Sequence, residues 1–159
     1  MNPVPKPTKQ KKKKIKKPKS EPWICNNCIR ENKKKFPTTT LADKRAILDH
    51  LWGDAVFKRD KGTCQKCGRK DTLAGHHIFG KKAYPSGRWN LDNGILLCYG
   101  HHIHFAHKSP YLFEDWMKKN QNGFGSGMWD WLHSLVIQPS QFRARDFEEI
   151  KARLEKELQ

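Results

Sequence analysis

The feature that most constrains the fold is a pair of motifs in which two metal-ligand residues stand three positions apart. Cys64-Gln-Lys-Cys67 is followed by Cys98-Tyr-Gly-His101. Each motif presents two zinc-binding side chains, and together they complete a tetrahedral shell. The stretch between Cys67 and Cys98 is longer than in a compact zinc finger, so the ion would clamp the two ends of an inserted hairpin. The pattern therefore predicts a small fold built around structural Zn²⁺.

The residues around these motifs predict an α+β fold with flanking helices. Thr40 and Asp43 form a capping-box signal, and apolar residues at helical spacing follow until about Lys61 and Gly62. Between the ligand motifs, two short apolar runs predict strands that pair as a hairpin. The predicted strands are Leu73–Phe79 and Ile95–Leu97, and the predicted later helices are His101–His107, Tyr111–Lys119, Met128–Val136 and Ala144–Leu158.

The basic charge is concentrated at the N-terminus. Residues 1–20 contain nine lysines and no acidic residue, in a chain whose net charge is +16. Mutual repulsion and four interspersed prolines prevent such a segment from packing a core, so we expect a disordered tail over residues 1–22. A phosphate-binding arm is the favoured interpretation, and a solubility segment or a nuclear-localisation signal are the alternatives. Nucleic acid is the expected polyanionic partner.

A further pair, Cys25 and Cys28, lies in a lysine-flanked segment over residues 23–40. Two ligands are too few for a stable zinc site, so His50 or His133 would have to contribute. A competing assignment joins this pair to the cysteines of the second C-x-x-C in one four-cysteine site, and a knuckle without metal is a third possibility.

The histidines left over from the zinc pattern need another explanation. His76 and His77 are adjacent on a predicted strand and therefore point to opposite faces, so one can bind a metal while the other faces a substrate. His102 and His107 are awkwardly spaced for a regular helix. Either the helix loosens between them, or His104 is the third ligand.

The order His76-His77, then Asn93 in Leu91-Asp-Asn-Gly-Ile-Leu-Leu-Cys98, then His102, resembles the HNH nucleases with the ββα-metal fold. The zinc-clamped branch of that family carries C-x-x-C before the hairpin and C-x-x-C-H after it. That arrangement is matched here except that His101 replaces the final cysteine.

The wider pattern, with A-G-H-H, R-W-N-x-D-N and a lysine-rich front, is similar to the phage NinG-like (Rap) recombination endonucleases. The resemblance covers residues 64–119 most fully. It implies an HNH nuclease domain over residues 41–120, including the preceding helix, and leaves residues 121–159 as a C-terminal helical extension.

The resemblance also implies a role for each residue of the motif. His76 and His102, with His107, would hold a catalytic divalent ion, Mg²⁺ or Mn²⁺. His77 would be the general base, and Asn93 would brace the hairpin loop without touching the substrate. Arg88, in the basic loop, would neutralise charge on the phosphate. The competing interpretation makes the histidines a structural pair and Asn93 a plain turn residue.

Taken together, these patterns predict a metal-dependent HNH DNA endonuclease that acts on branched or structured DNA in phage recombination or repair. We expect contacts mainly to the DNA backbone, and cutting two strands would favour a homodimer. The sequence offers no apolar run long enough to span a membrane, and an intracellular location, the bacterial host cytoplasm for a phage protein, is expected. The alternative is a zinc-stabilised nucleic-acid-binding protein without catalysis. Trp89 is the tryptophan nominated for contact with a base.

Overall fold

The computed structural model describes residues 40–119 and 125–159. Within these ranges the chain is α+β, as predicted, with helices around one two-stranded sheet. Nothing in these ranges is a helix of the length and apolarity that crossing a membrane requires. The main elements are α1 (Leu41–Arg59), β1 (Leu73–His77), β2 (Gly94–Cys98), a π-helix (His101–His107), α2 (Pro110–Lys119), α3 (Ser126–Val136) and α4 (Phe147–Glu157), with short 3₁₀ turns at Pro85–Gly87 and Ala144–Asp146.

Helix α1 begins at the predicted capping box. Thr40 Oγ1 accepts the Asp43 backbone N–H at 3.1 Å, and an Asp43 carboxylate oxygen accepts the Thr40 N–H at 3.2 Å. The two bonds satisfy backbone donors that the first helical turn leaves open. At the other end, Asp60 accepts the backbone N–H of Leu96 at 2.7 Å, which ties the end of α1 to β2.

The two strands pair antiparallel, with Leu73 opposite Cys98 and His77 opposite Gly94. All five residues of β2 are buried. Because an isolated two-stranded sheet is marginal in water, its stability comes from the helices packed around it. One buried cluster joins β2 to side chains of α1 and α2, among them Trp52, Val56 and Phe113.

The C-terminal helices pack against this core. Phe147 and Leu154 of α4 are buried, and α4 lies against α1. Helix α3 supports the loop between the strands, because Ser86 Oγ donates to the carbonyl of Val136 and the ring of His133 stacks on Phe79 at 5.2 Å. The segment predicted as an extension therefore buttresses the hairpin loop.

Gly94 gives a test of how tightly α1 packs on the hairpin. A Cβ at this position would lie 2.6 Å from Val56 and 2.8 Å from Trp52. We expect Gly94→Ala to lower the free energy of unfolding by about 1–3 kcal/mol through overpacking. Urea denaturation followed by far-UV circular dichroism measures the loss.

Gly53→Ala on α1 is the matched control, since a Cβ there meets no atom within 4 Å. Removing a glycine from a helix interior should raise stability by up to about 1 kcal/mol. Equal stabilities for the two variants would contradict this packing.

Candidate metal centres and the histidine cleft

The predicted zinc ligands come together in one cluster. Cys64, Cys67, Cys98 and His101 each offer a ligand atom, and these atoms lie within 4.8 Å of one another. The Sγ atoms of Cys67 and Cys98 are 3.9 Å apart, and His101 Nδ1 is 3.5 Å from Cys64 Sγ and 3.3 Å from Cys98 Sγ. Ligands at zinc bond lengths around one tetrahedral centre are separated by about 3.5–3.8 Å. The cluster could therefore hold a metal ion such as zinc.

The backbone of the first motif forms a turn that points its thiols inward. The Gly68 N–H donates to the Cys64 carbonyl at 2.8 Å, and Gly68 has a φ of 74°, a left-handed conformation that glycine adopts without strain. Burial would raise the pKa of the Cys64 thiol, but hydrogen bonds from nearby backbone groups and from His101 lower it to about 6. A thiol that ionises this easily is suited to metal ligation.

Three of the remaining histidines form a second cluster. His76, His102 and His107 bring one ring nitrogen each within 4.8 Å of the others. The Nε2 atoms of His102 and His107 are 3.1 Å apart, close to the separation of about 3.0 Å for two neighbouring ligands of an octahedral ion. Burial, and then the charges of His102 and His107, lower the pKa of His76 to about 3. His76 is thus neutral at pH 7, the state in which an imidazole binds metal.

A π-helix explains the awkward histidine spacing. Residues 101–107 form this wider helix, and the Lys108 N–H reaches back five residues to the Ile103 carbonyl at 3.2 Å. In a π-helix, residues five apart lie on the same side, so His102 and His107 face His76 together. The helix loosens, and His107 rather than His104 joins the cluster. His104 is exposed, with its ring 6.1 Å from that of Tyr99.

Consecutive residues of this helix serve the two clusters. His101 belongs to the cysteine cluster and His102 to the histidine cluster. The spacing of the ligand motifs predicts this division, with His101 in the zinc shell and His102 outside it.

His77 lies on the opposite side of β1, as alternation along a strand predicts. Its ring stacks on Trp52 with centroids 3.8 Å apart and an interplanar angle of 11°. His77 Nε2 is 2.8 Å from the carbonyl oxygen of Arg88. Because a carbonyl only accepts, Nε2 carries the proton, and the lone pair of the neutral ring is on Nδ1. Burial lowers the pKa of His77, against the opposing effect of this hydrogen bond, and keeps the ring neutral at pH 7.

Asn93 is fully buried and braces the loop, as predicted. Its Oδ1 accepts the Phe79 N–H at 2.8 Å, and its Nδ2 donates to the carbonyls of Phe79 and Gly87 at 2.9 and 3.0 Å. These bonds link the start of the loop to the residue before Arg88. Asn93 thereby fixes the loop backbone that supplies the partner of His77.

Arg88 and Trp89 both turn toward α1. The Arg88 guanidinium forms two parallel hydrogen bonds with Asp49, each of 2.8 Å, and its action on a phosphate stays a prediction. Trp89 is buried, donates to Asp49 and packs against Phe142, so its nomination as a base-contacting residue was wrong. The basic residues of the loop suggested an exposed segment, although several of its side chains are buried in the core.

An open cleft of about 1360 Å³ is lined both by the three-histidine cluster and by His77. All five residues of β1 line it, with α1 on one side and the π-helix and α2 on the other. This volume exceeds that of most pockets for small ligands. Its lining includes His76, His77, His102 and His107, together with Lys81 and Lys82.

Two contributors to the site escaped sequence reasoning. Trp52 is buried in the core, and its ring also stacks on His77. Asp49 belongs to no recognisable motif. The only sequence feature that could have indicated its role is its position on α1 next to Leu48, which is buried.

Comparison with known proteins gives no match to this chain among protein-family models, curated proteins or solved structures. Cys25 and Cys28 lie outside the described residues, while their suggested partners His50 and His133 contact Asp54 and Phe79 respectively. The rival four-cysteine site loses its support, because Cys64 and Cys67 already lie with Cys98 and His101.

The four-residue cluster predicts one tightly held zinc ion. We expect Cys98→Ala to lose one equivalent of zinc and to melt well below the wild type, because removing a ligand from a structural site costs folding free energy. Metal content after gel filtration and a thermal melt measure both effects. His104→Ala, on the same helix but exposed, is the control and should keep its zinc. Unchanged zinc content in Cys98→Ala would contradict the assignment.

Proposed function

We propose that this protein is a metal-dependent endonuclease of the HNH type that hydrolyses phosphodiester bonds in DNA. One observation carries the proposal: one face of β1 contributes His76 to the three-histidine cluster, the other face carries the neutral His77, and all of these histidines line one cleft. A bound cation that neutralises charge on the phosphate and a base that takes a proton from water both accelerate phosphodiester hydrolysis.

His77 is the proposed general base. Its Nε2 proton is held by the Arg88 carbonyl, so Nδ1 is the nitrogen that can take a proton from an attacking water. The stacked Trp52 ring prevents the imidazole from tilting away. The water oxygen then bonds to phosphorus while the bond to the 3′ oxygen breaks, and the proton from the water resides on Nδ1.

His76, His102 and His107 are the proposed ligands of the catalytic ion. All three offer imidazole nitrogens, a donor set that suits transition-metal ions better than Mg²⁺. A divalent ion bound there would supply a Lewis acid for the phosphate and for the leaving oxygen. Burial of His76, with 7% of its surface exposed, holds this nitrogen in place for ligation.

The substrate assignment rests on charge and on the resemblance. The chain carries a net charge of +16, and two lysines line the cleft beside the acidic residues Asp49, Asp54 and Glu114. A basic chain of this kind binds the phosphate backbone, and branched or structured DNA in phage recombination is the substrate class that the NinG likeness implies.

A binding protein without catalysis is the rival proposal. It accounts for the basic residues and for the cysteine cluster. It gives no reason for the three-histidine cluster or for the aligned His77, and the nuclease is therefore preferred.

Replacement of the proposed base tests the mechanism. In His77→Gln the side-chain amide can still donate to the Arg88 carbonyl, but it has no basic nitrogen. We expect the cleavage rate to fall by about 10²- to 10⁴-fold, with DNA binding and zinc content unchanged. The assay uses supercoiled plasmid and a four-way junction with Mg²⁺, Mn²⁺, Co²⁺, Ni²⁺ or Zn²⁺, and a gel shift measures binding.

His104→Gln is the matched control, because it replaces an exposed histidine and should cleave at the wild-type rate. Wild-type cleavage by His77→Gln would refute the base assignment. A wild-type protein that binds every DNA tested and cuts none with any of the five ions would favour the rival proposal.

A further inference from the structure

Asp49, on the cleft side of α1, gathers three side chains of the loop between the strands. Its carboxylate accepts from Lys81 Nζ at 2.9 Å, from Arg88 Nε and Nη2 at 2.8 Å each, and from Trp89 Nε1 at 2.9 Å. The paired bonds to Arg88 fix a planar group in both position and orientation. Four donors on one carboxylate hold both ends of this loop against α1.

One of these residues is also the partner of His77. The backbone carbonyl of Arg88 accepts the Nε2 proton of His77, while the side chain of the same residue is bound to Asp49. Arg88 alone therefore links the Asp49 carboxylate to the imidazole of His77 by hydrogen bonds. Asn93 holds the inner side of the same loop through Gly87, so Arg88 is anchored from two directions.

Helix α1 contacts the imidazole by a second route. Trp52 lies three residues after Asp49, on the same side of the helix, and stacks directly on His77. One helical turn thus sets both the plane of the ring and the acceptor for its proton.

The carboxylate of Asp49 is ionised at neutral pH. Burial would raise its pKa, but the hydrogen bonds and charges of Arg88 and Lys81 outweigh burial and lower it. The side chain is 26% exposed, so the interactions are only partly screened by water.

We propose that Asp49 is a positioning residue for His77, because it fixes the Arg88 carbonyl that keeps the imidazole proton on Nε2. This inference rests on the proposed function for its catalytic consequence, but the state of the His77 ring is measurable without it. Asp49 touches no reacting atom, so its effect should be on the rate of the chemical step rather than on the affinity for DNA.

The test compares Asp49→Asn with Asp54→Asn. Both changes remove one negative charge from the cleft side of α1, but Asp54 pairs with His50 of its own helix. In Asp49→Asn one of the two acceptor oxygens is replaced by an NH₂ group, a donor that cannot accept from Arg88. Long-range ¹H–¹⁵N spectra of histidine-labelled protein report which nitrogen of His77 carries the proton, and cleavage kinetics give kcat and KM.

We expect the wild type and Asp54→Asn to show the Nε2–H form, and Asp49→Asn to show a mixture of both tautomers. We also expect kcat of Asp49→Asn to fall by about 10- to 100-fold, with KM changed by less than about twofold. Arg88→Lys keeps the positive charge and loses the paired hydrogen bonds, so it should change the tautomer in the same direction. This second variant decides the question if Asp49→Asn does not fold.

An unchanged His77 tautomer in every folded variant of Asp49 or Arg88 would overturn the inference. A fall in kcat with an unchanged tautomer would also overturn it. If the wild type cleaves no substrate, the proposed function fails, while the tautomer comparison still decides what Asp49 does to His77.

Discussion

The fold depends on the four side chains that close the hairpin at one end. The hairpin is too small to be stable alone, and Cys64, Cys67, Cys98 and His101 join its two flanks at the point where β2 ends. The next residue after His101 is His102, which belongs to the other cluster. Because His101 and His102 are joined by one peptide bond, the position of the cysteine cluster also determines where the histidine cluster can form. One turn of helix thus contributes a residue to each of the two clusters.

The opposite face of β1 is organised by α1. Trp52 supports the plane of the His77 ring, and Asp49 draws the loop between the strands toward the helix. Asn93 completes the arrangement from inside the loop. The two faces of one strand consequently carry different groups, one ligand of a histidine cluster that could hold a metal ion on one face and a neutral imidazole on the other. Residues on both faces line one cleft.

Local patterns in the sequence predicted most of the framework. The ligand spacing, the capping box at Thr40 and the alternation of His76 and His77 depend on neighbouring residues, and the structure agrees with each. Contacts between distant segments were not predictable in the same way. The four donors that reach Asp49 come from residues more than thirty positions away, and no local pattern encodes them. Trp89 was misread for the same reason, since its neighbours are basic but its partners are Asp49 and Phe142.

The most direct test of the central claim is a crystal structure grown with Mn²⁺ and a short DNA duplex, with anomalous scattering used to locate the ions. The account predicts a manganese peak shared by His76, His102 and His107, a separate zinc peak at the cysteine cluster, and a phosphate between the manganese and His77 Nδ1. A structure with zinc at the cysteine cluster but no manganese at the three histidines would contradict it. DNA bound away from the cleft would contradict it as well.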